Sequence, residues 1–252
     1  MGKLFFSKSI LSIHIEFIQV PMAESIVDNL KKIQENILEE AAGSGRKEGE
    51  VKLIAVSKTK PLDLIKEAFE AGQLDFGENK VQELREKYPL LPEANWHMIG
   101  SLQRNKVKYI APFIHLIHSV NSERLLIEIN KQGERNERVI SCLLQLNISD
   151  EDSKSGMEEA EAKAILSEIG KFPHVHIKGL MGMAAFTDDK ELIRSQFQRL
   201  ANARDTFKEF EGPQVKMEEL SMGMSGDYDI AIEEGATMVR VGSAIFGSRN
   251  YG

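Results

Sequence analysis

The chain has 252 residues, of which 42% are hydrophobic and 28% charged, and its formal net charge is -7. That is room for one large α/β domain or two small ones, and the negative balance argues against a nucleic-acid partner bound by phosphate neutralisation. The single cysteine, Cys142, lies in the apolar run Cys142-Leu143-Leu144, cannot close an internal disulfide, and reads as a buried core residue.

Residues 1–21 are broken by Lys8, His14, Glu16 and Gln19, too often for a transmembrane helix or a signal-peptide core. They are expected to be an extension outside the fold, which then spans 22–252 in a soluble, cytoplasmic protein. Ile26, Leu30, Ile33, Ile37 and Ala41 recur at helical spacing, predicting an amphipathic helix that ends near Gly43. The continuous apolar run from Lys52 to Val56 predicts a strand buried on both faces. Pro61 then suits the first turn of a helix.

The pattern repeats. Helices are expected at 62–69, 81–87, 104–109 and 122–132, after Ser155, after Asp188, and at 228–234. Strands are expected at 74–76, 96–99, 115–118, 141–146, 177–183, 219–222 and 238–241. Ser155/Glu158 and Asp188/Glu191 have capping-box spacing. About eight strand-then-helix units after one leading helix predict a single closed (β/α)8 barrel. A doubly wound open sheet would use fewer strands, and no G-x-G-x-x-G follows the first strand.

In such a barrel the ends of strands 7, 8 and 1 are neighbours. Lys58 follows strand 1, where partial desolvation makes a lysine amine a candidate Schiff-base nucleophile. Strand 7 ends in Ser221-Met222-Gly223-Met224-Ser225-Gly226, and strand 8 ends in Arg240-Val241-Gly242-Ser243. Loops of that composition, with a short extra helix at 243–246, form the usual phosphate site of this fold. A phosphate cup beside a reactive lysine fits a phosphorylated carbonyl compound held as an imine. Pyridoxal 5'-phosphate is the commonest such cofactor, and an imine-forming aldolase uses the same parts.

Five segments carry a resemblance: A-V-S-K-T-K-P (55–61), F-G-E-N-K-V-Q-E (76–83), W-H-M-I-G-S-L-Q-R-N-K (96–106), S-M-G-M-S-G-D (221–227) and V-R-V-G-S-A-I-F-G (239–247). In order and spacing they resemble the pyridoxal phosphate homeostasis proteins, the YggS/PROSC family. The resemblance implies a barrel like the N-terminal domain of alanine racemase, with pyridoxal 5'-phosphate on Lys58 as an internal aldimine. It implies that Ser221, Gly242 and Ser243 hold the phosphate and that Arg240 lies near the ring nitrogen or the phosphate. An arginine there disfavours protonation of that nitrogen and so weakens the ring as an electron sink. Family members often carry threonine at position 243.

Asn79, at the end of strand 2, is a candidate donor to the cofactor's ring oxygen. His97 reads as a histidine packed beside Trp96 in preference to a proton carrier, Lys154 as a solvated loop lysine, and the methionines 181, 183, 222 and 224 as core and pocket filler. The basic run from Arg104 to Lys108 reads as a solvated helix face. No metal site is expected. The function so implied is to carry or buffer the cofactor, with apo-enzymes that require it as partners, in a monomer without robust catalysis. A pyridoxal-phosphate-dependent racemase or lyase is the alternative. Racemisation needs a second acid–base group opposite Lys58, which in the two-domain racemases comes from a C-terminal domain that a chain ending at Gly252 has no residues to build.

Overall fold

The computed structural model describes residues 25–149 and 156–247. The extension 1–21, Lys154 and Ser155 lie outside the described residues. In chain order the elements are α1 (Ile26–Gly43), β1 (Lys52–Val56), α2 (Leu62–Glu70), β2 (Asp75–Glu78), α3 (Val81–Lys87), β3 (Asn95–Met98) and β4 (Leu116–Val120). There follow α4 (Glu123–Arg135), β5 (Ile140–Gln145), α5 (Glu159–Ser167), β6 (Val175–Met181) and α6 (Lys190–Phe207). β7 (Val215–Met224), α7 (Tyr228–Glu233), β8 (Met238–Val241) and α8 (Ser243–Phe246) complete the set. All strands are parallel, each pairs with the next, and β8 pairs back to β1 through Lys52–Met238 to Ala55–Val241. This is the closed (β/α)8 barrel with one leading helix that the alternation predicts.

Two apolar layers hold it. The larger lies between the sheet and the helices. There α1 contributes Leu30, Ile33, Ile37 and Ala41, and the strands contribute outward residues such as Ala55, Phe76, Trp96 and Ile177. The smaller lies inside the barrel, where Ile54, Leu116, Leu143, Met181 and Met238 meet. Interiors of this fold are normally filled by bulky aliphatic side chains. Here His97, His118, Ser221 and Arg240 are also fully or almost fully buried. α1 begins at Ser25, whose hydroxyl accepts the Asp28 N–H at 3.1 Å. It packs on α2, α7 and α8, and Asn29 Nδ2 donates to the Ile245 carbonyl at 3.2 Å. The leading helix thus braces the last, short one.

Four local expectations change. The helix expected at 104–109 is a 3-10 helix, anchored by the single buried Val107. α6 is capped by Asp189, not Asp188: the Asp189 carboxylate accepts from the N–H groups of Glu191 and Leu192. α5 begins at Glu159 with Glu158 at its N-cap, without a side-chain capping bond. β7 is ten residues long, extending both ways beyond the expected 219–222. No helix among the described residues is long and apolar enough to cross a membrane, and Cys142 is fully buried, which pushes its thiol pKa up.

Candidate functional site

The carboxyl ends of β1, β2, β7 and β8 surround a cavity of about 390 Å³ whose wall includes Lys58, Lys60, Asn79, Ser225, Arg240, Gly242 and Ser243. That volume lies within the usual range for small-molecule sites. Val56, Ile99, Met183 and Met224 supply an apolar lining. Five of the six expected site residues therefore meet at one cavity. The sixth, Ser221, stands elsewhere. It is fully buried in the barrel interior, where its hydroxyl accepts from Arg240 Nη1 at 2.6 Å. Because β7 runs to Met224, Ser221 falls four residues, two repeats of the pleat, below the rim position that Ser225 takes. The sequence places Ser225 in the Gly/Ser-rich turn of the expected phosphate site but singles out Ser221 within it.

Lys58 sits in a turn that is unusually constrained. Lys60 N–H donates to the Ser57 carbonyl at 3.1 Å, and Thr59 has φ 62°. A β-branched residue in this left-handed region is strained. The Glu83 carboxylate holds it there by accepting the Thr59 N–H at 2.6 Å. Beneath the turn, Lys87 Nζ donates to Glu78 Oε1 (2.7 Å), Glu83 Oε2 (2.9 Å) and the Ser57 carbonyl (3.0 Å). The Ser57 hydroxyl also donates to Glu78 Oε1, at 2.6 Å. Burial pushes the Glu78 carboxyl up to about 7, against the pull of Lys87 and Ser57. Glu83, also partly desolvated, is held below the usual carboxylate range by Lys87 and the Thr59 N–H. Lys60, the neighbouring lysine of the same wall, donates from Nζ to the carbonyls of Phe246 and Gly247, each at 2.9 Å.

The adjoining β7–β8 wall is built from backbone and small side chains. Gly223 has φ 86°, and a Cβ there would lie 2.6 Å from Ala231 Cβ, so β7 can turn at the rim only with glycine. At Gly242 a Cβ would lie 3.0 Å from the Val56 carbonyl oxygen, so β8 passes very close to β1. The hydroxyl-bearing Ser225 and Ser243 are exposed at the cavity. Arg240 is 4% exposed, and burial lowers its pKa to about 10, which leaves it a cation at neutral pH. The cavity thus joins an amine, a fixed cation, hydroxyl donors beside a closely approachable backbone, and an apolar slot. That donor set fits a flat, phosphorylated aldehyde.

These features define a class. The family model for the alanine racemase N-terminal domain matches residues 29–250. Relatives named "Pyridoxal phosphate homeostasis protein" include those of Pasteurella multocida, 40% identical over 90% of this chain and 99% of the relative. The Aquifex aeolicus protein of the same name is 38% identical over 89% and 98%. The chain belongs to the pyridoxal phosphate homeostasis protein family. Among solved structures, PipY of Synechococcus elongatus with PLP bound superposes with a TM-score of 0.73 and 35% identity, over 84% of this chain and all of that one. A protein of unknown function from Bifidobacterium adolescentis superposes with a TM-score of 0.83 and 34% identity, over 88% and 94%. Alanine racemase of Clostridium difficile shares the fold with a TM-score of 0.72 at 16% identity, over 88% of this chain and 57% of that one.

Proposed function

We propose that the cavity binds pyridoxal 5'-phosphate and that the protein carries or buffers the cofactor for enzymes that require it. The observation that carries this reading is the convergence of Lys58, Arg240, Ser225, Gly242 and Ser243 on one cavity, in a family named for pyridoxal phosphate homeostasis. When bound, the cofactor supplies an aldehyde that condenses with an amine. Lys58, which lines the cavity at the end of β1, is the amine that would hold it. Ser225 and Ser243 would donate to the phosphate, with Gly242 allowing close backbone approach. Asn79 would orient the ring, and Arg240 would face it as a cation. We place Ser221 in support of Arg240 and not on the phosphate.

A carrier suits this site better than a racemase. Ser225 and Ser243 are exposed, so water reaches the rim. The described tyrosines are occupied elsewhere: Tyr88 stacks on Phe113 at 4.0 Å, Tyr109 lies beside Arg85, and the Tyr228 hydroxyl accepts from Asn36 at 3.3 Å. None supplies an acid–base group opposite Lys58. The test is to add pyridoxal 5'-phosphate, reduce with borohydride and map the modified peptide. Label on Lys58 is expected; label on Lys60, or none, overturns the assignment.

A further inference from the structure

Five strands contribute to a continuous chain of hydrogen bonds inside the barrel. Asp75 Oδ1 lies 2.9 Å from His97 Nε2, and His97 Nδ1 lies 2.9 Å from His118 Nε2. His118 Nδ1 lies 2.9 Å from Ser221 Oγ, which is 2.6 Å from Arg240 Nη1. These residues sit on β2, β3, β4, β7 and β8 in turn. β4 and β7 are not neighbours in the barrel, so the His118–Ser221 link crosses its interior. The chain starts at the first residue of β2, at the amino-terminal mouth, and ends at Arg240 in the cavity wall on the opposite face.

Chemistry allows one direction only. A guanidinium donates and cannot accept, an ionised carboxylate accepts and cannot donate, and a neutral imidazole does one of each. Burial raises the Asp75 carboxyl, but the hydrogen bond and charge of His97, with Lys52 and Asn95, outweigh it and leave the pKa below its ordinary value. Burial lowers both His97 and His118, so both rings are neutral near pH 7. Arg240 therefore donates to Ser221, whose own proton goes to His118 Nδ1. His118 donates from Nε2 to His97 Nδ1, and His97 donates from Nε2 to Asp75. Reversing any link sets two lone pairs face to face in a buried site, at a cost of roughly 1–3 kcal/mol. The aligned bonds present their negative ends to Arg240 and their positive ends to Asp75, so the chain favours the charged form of both. The proton on His97 Nε2 also keeps that nitrogen from acting as a metal ligand beside Asp75 and His115, whose donor atoms otherwise fall within 4.8 Å of one another.

We propose that Asp75, His97 and His118 are positioning residues, forming a one-directional hydrogen-bond chain that fixes Arg240 at the cavity from the far mouth of the barrel. Its role toward the cofactor rests on the reading of the cavity given above; the direction of the chain does not. The test uses 15N NMR of the histidine and arginine side chains in cofactor-free protein. Both His97 and His118 are expected to carry their proton on Nε2, and an Nδ1–H form of either overturns the proposal. In Asp75→Asn the Arg240 guanidinium resonances are expected to shift although Asp75 does not touch Arg240. Affinity for pyridoxal 5'-phosphate is expected to fall roughly three- to tenfold, the size of coupling such networks carry. Unmoved Arg240 resonances overturn the proposal. Should Asp75→Asn not fold, Ser221→Ala cuts the chain at its other end. There His97 and His118 are expected to keep their Nε2 protons, set from Asp75, and loss of that preference overturns it. Failure of the wild type to bind the cofactor would sink the functional reading and leave the tautomer result standing.

Discussion

The two walls of the cavity are made of different materials. On the β1–β2 side, Lys58 is held by a strained turn resting on the buried Glu78 and Lys87 and the half-buried Glu83, around the Ser57 carbonyl and the Thr59 N–H. On the β7–β8 side, the donors are the Ser225 and Ser243 hydroxyls and the backbone around Gly242, positioned by close packing of β8 on β1. The first wall should respond to pH and to loss of a charge, and its failure should cost stability. The second should respond to loss of single donors, and its failure should cost binding alone.

The largest effect separates the two lysines of the β1 wall. Lys58→Ala is expected to abolish the borohydride-trapped adduct, read by mass spectrometry, whereas Lys60→Ala is expected to retain it. Next, Lys87→Met leaves Glu78 buried without its cation. Breaking a buried pair from one side costs about 3 kcal/mol or more, so urea denaturation at pH 8 should show a loss of that size. The loss should shrink toward pH 6, where Glu78 is protonated and no longer needs the cation.

The third effect is a pH dependence. The Glu78 carboxyl titrates at about 7 in the folded protein, against an ordinary value of 4.5. A raised acid binds its proton more tightly folded than unfolded. Its contribution is therefore complete below pH 4.5 and is lost as pH rises through 7, by up to roughly 3 kcal/mol. His97, His115 and His118 have lowered pKa values and act in the opposite sense, losing stability as pH falls below 6.5. The Glu78 part is isolated as the difference between wild type and Glu78→Gln; parallel curves for the two would remove Glu78 from the account.

Much of this was legible in the sequence because it depends on local pattern. Alternating apolar strands and amphipathic helices give the barrel, and closure makes the ends of β1, β7 and β8 neighbours. Hence the sequence groups Lys58, Arg240, Gly242 and Ser243. What was missed depends on strand length and on distant partners. The polar Lys216 and Glu218 obscured the start of β7, and the Gly/Ser-rich end looked like loop. Four residues therefore separated the serine expected at the rim from the one that stands there. Val215 and Met217, both buried, were the available signal for the longer strand. His97 read as a packed histidine, and it is buried, but its partners Asp75 and His118 are 22 and 21 residues away. Ser221 and His118 are 103 apart, and no spacing rule joins them. The Glu78–Lys87 buttress joins the end of β2 to the end of α3, and no local pattern marks that two charges meet there in a buried site.

The smallest effect is the sharpest test of the contrast between the walls, because it compares serines of the β7–β8 side alone. Ser243 and Ser225 are exposed at the cavity and bear no packing role, so replacing either hydroxyl with hydrogen should leave the melting temperature within error. A hydrogen bond to a charged group is worth about 1.5–3 kcal/mol, and solvent at the rim favours the lower figure. Ser243→Ala and Ser225→Ala should therefore each weaken pyridoxal 5'-phosphate binding about tenfold, read by fluorescence titration. Ser221→Ala should behave differently. It removes the acceptor of the buried Arg240 and the donor to His118, and an unsatisfied buried group destabilises the fold by roughly 1–3 kcal/mol. Its signature is a fall in stability with a smaller loss of binding. If Ser221→Ala instead weakens binding tenfold at unchanged stability while Ser225→Ala does nothing, Ser221 belongs to the phosphate cup after all. The rim would then have to be drawn four residues lower on β7.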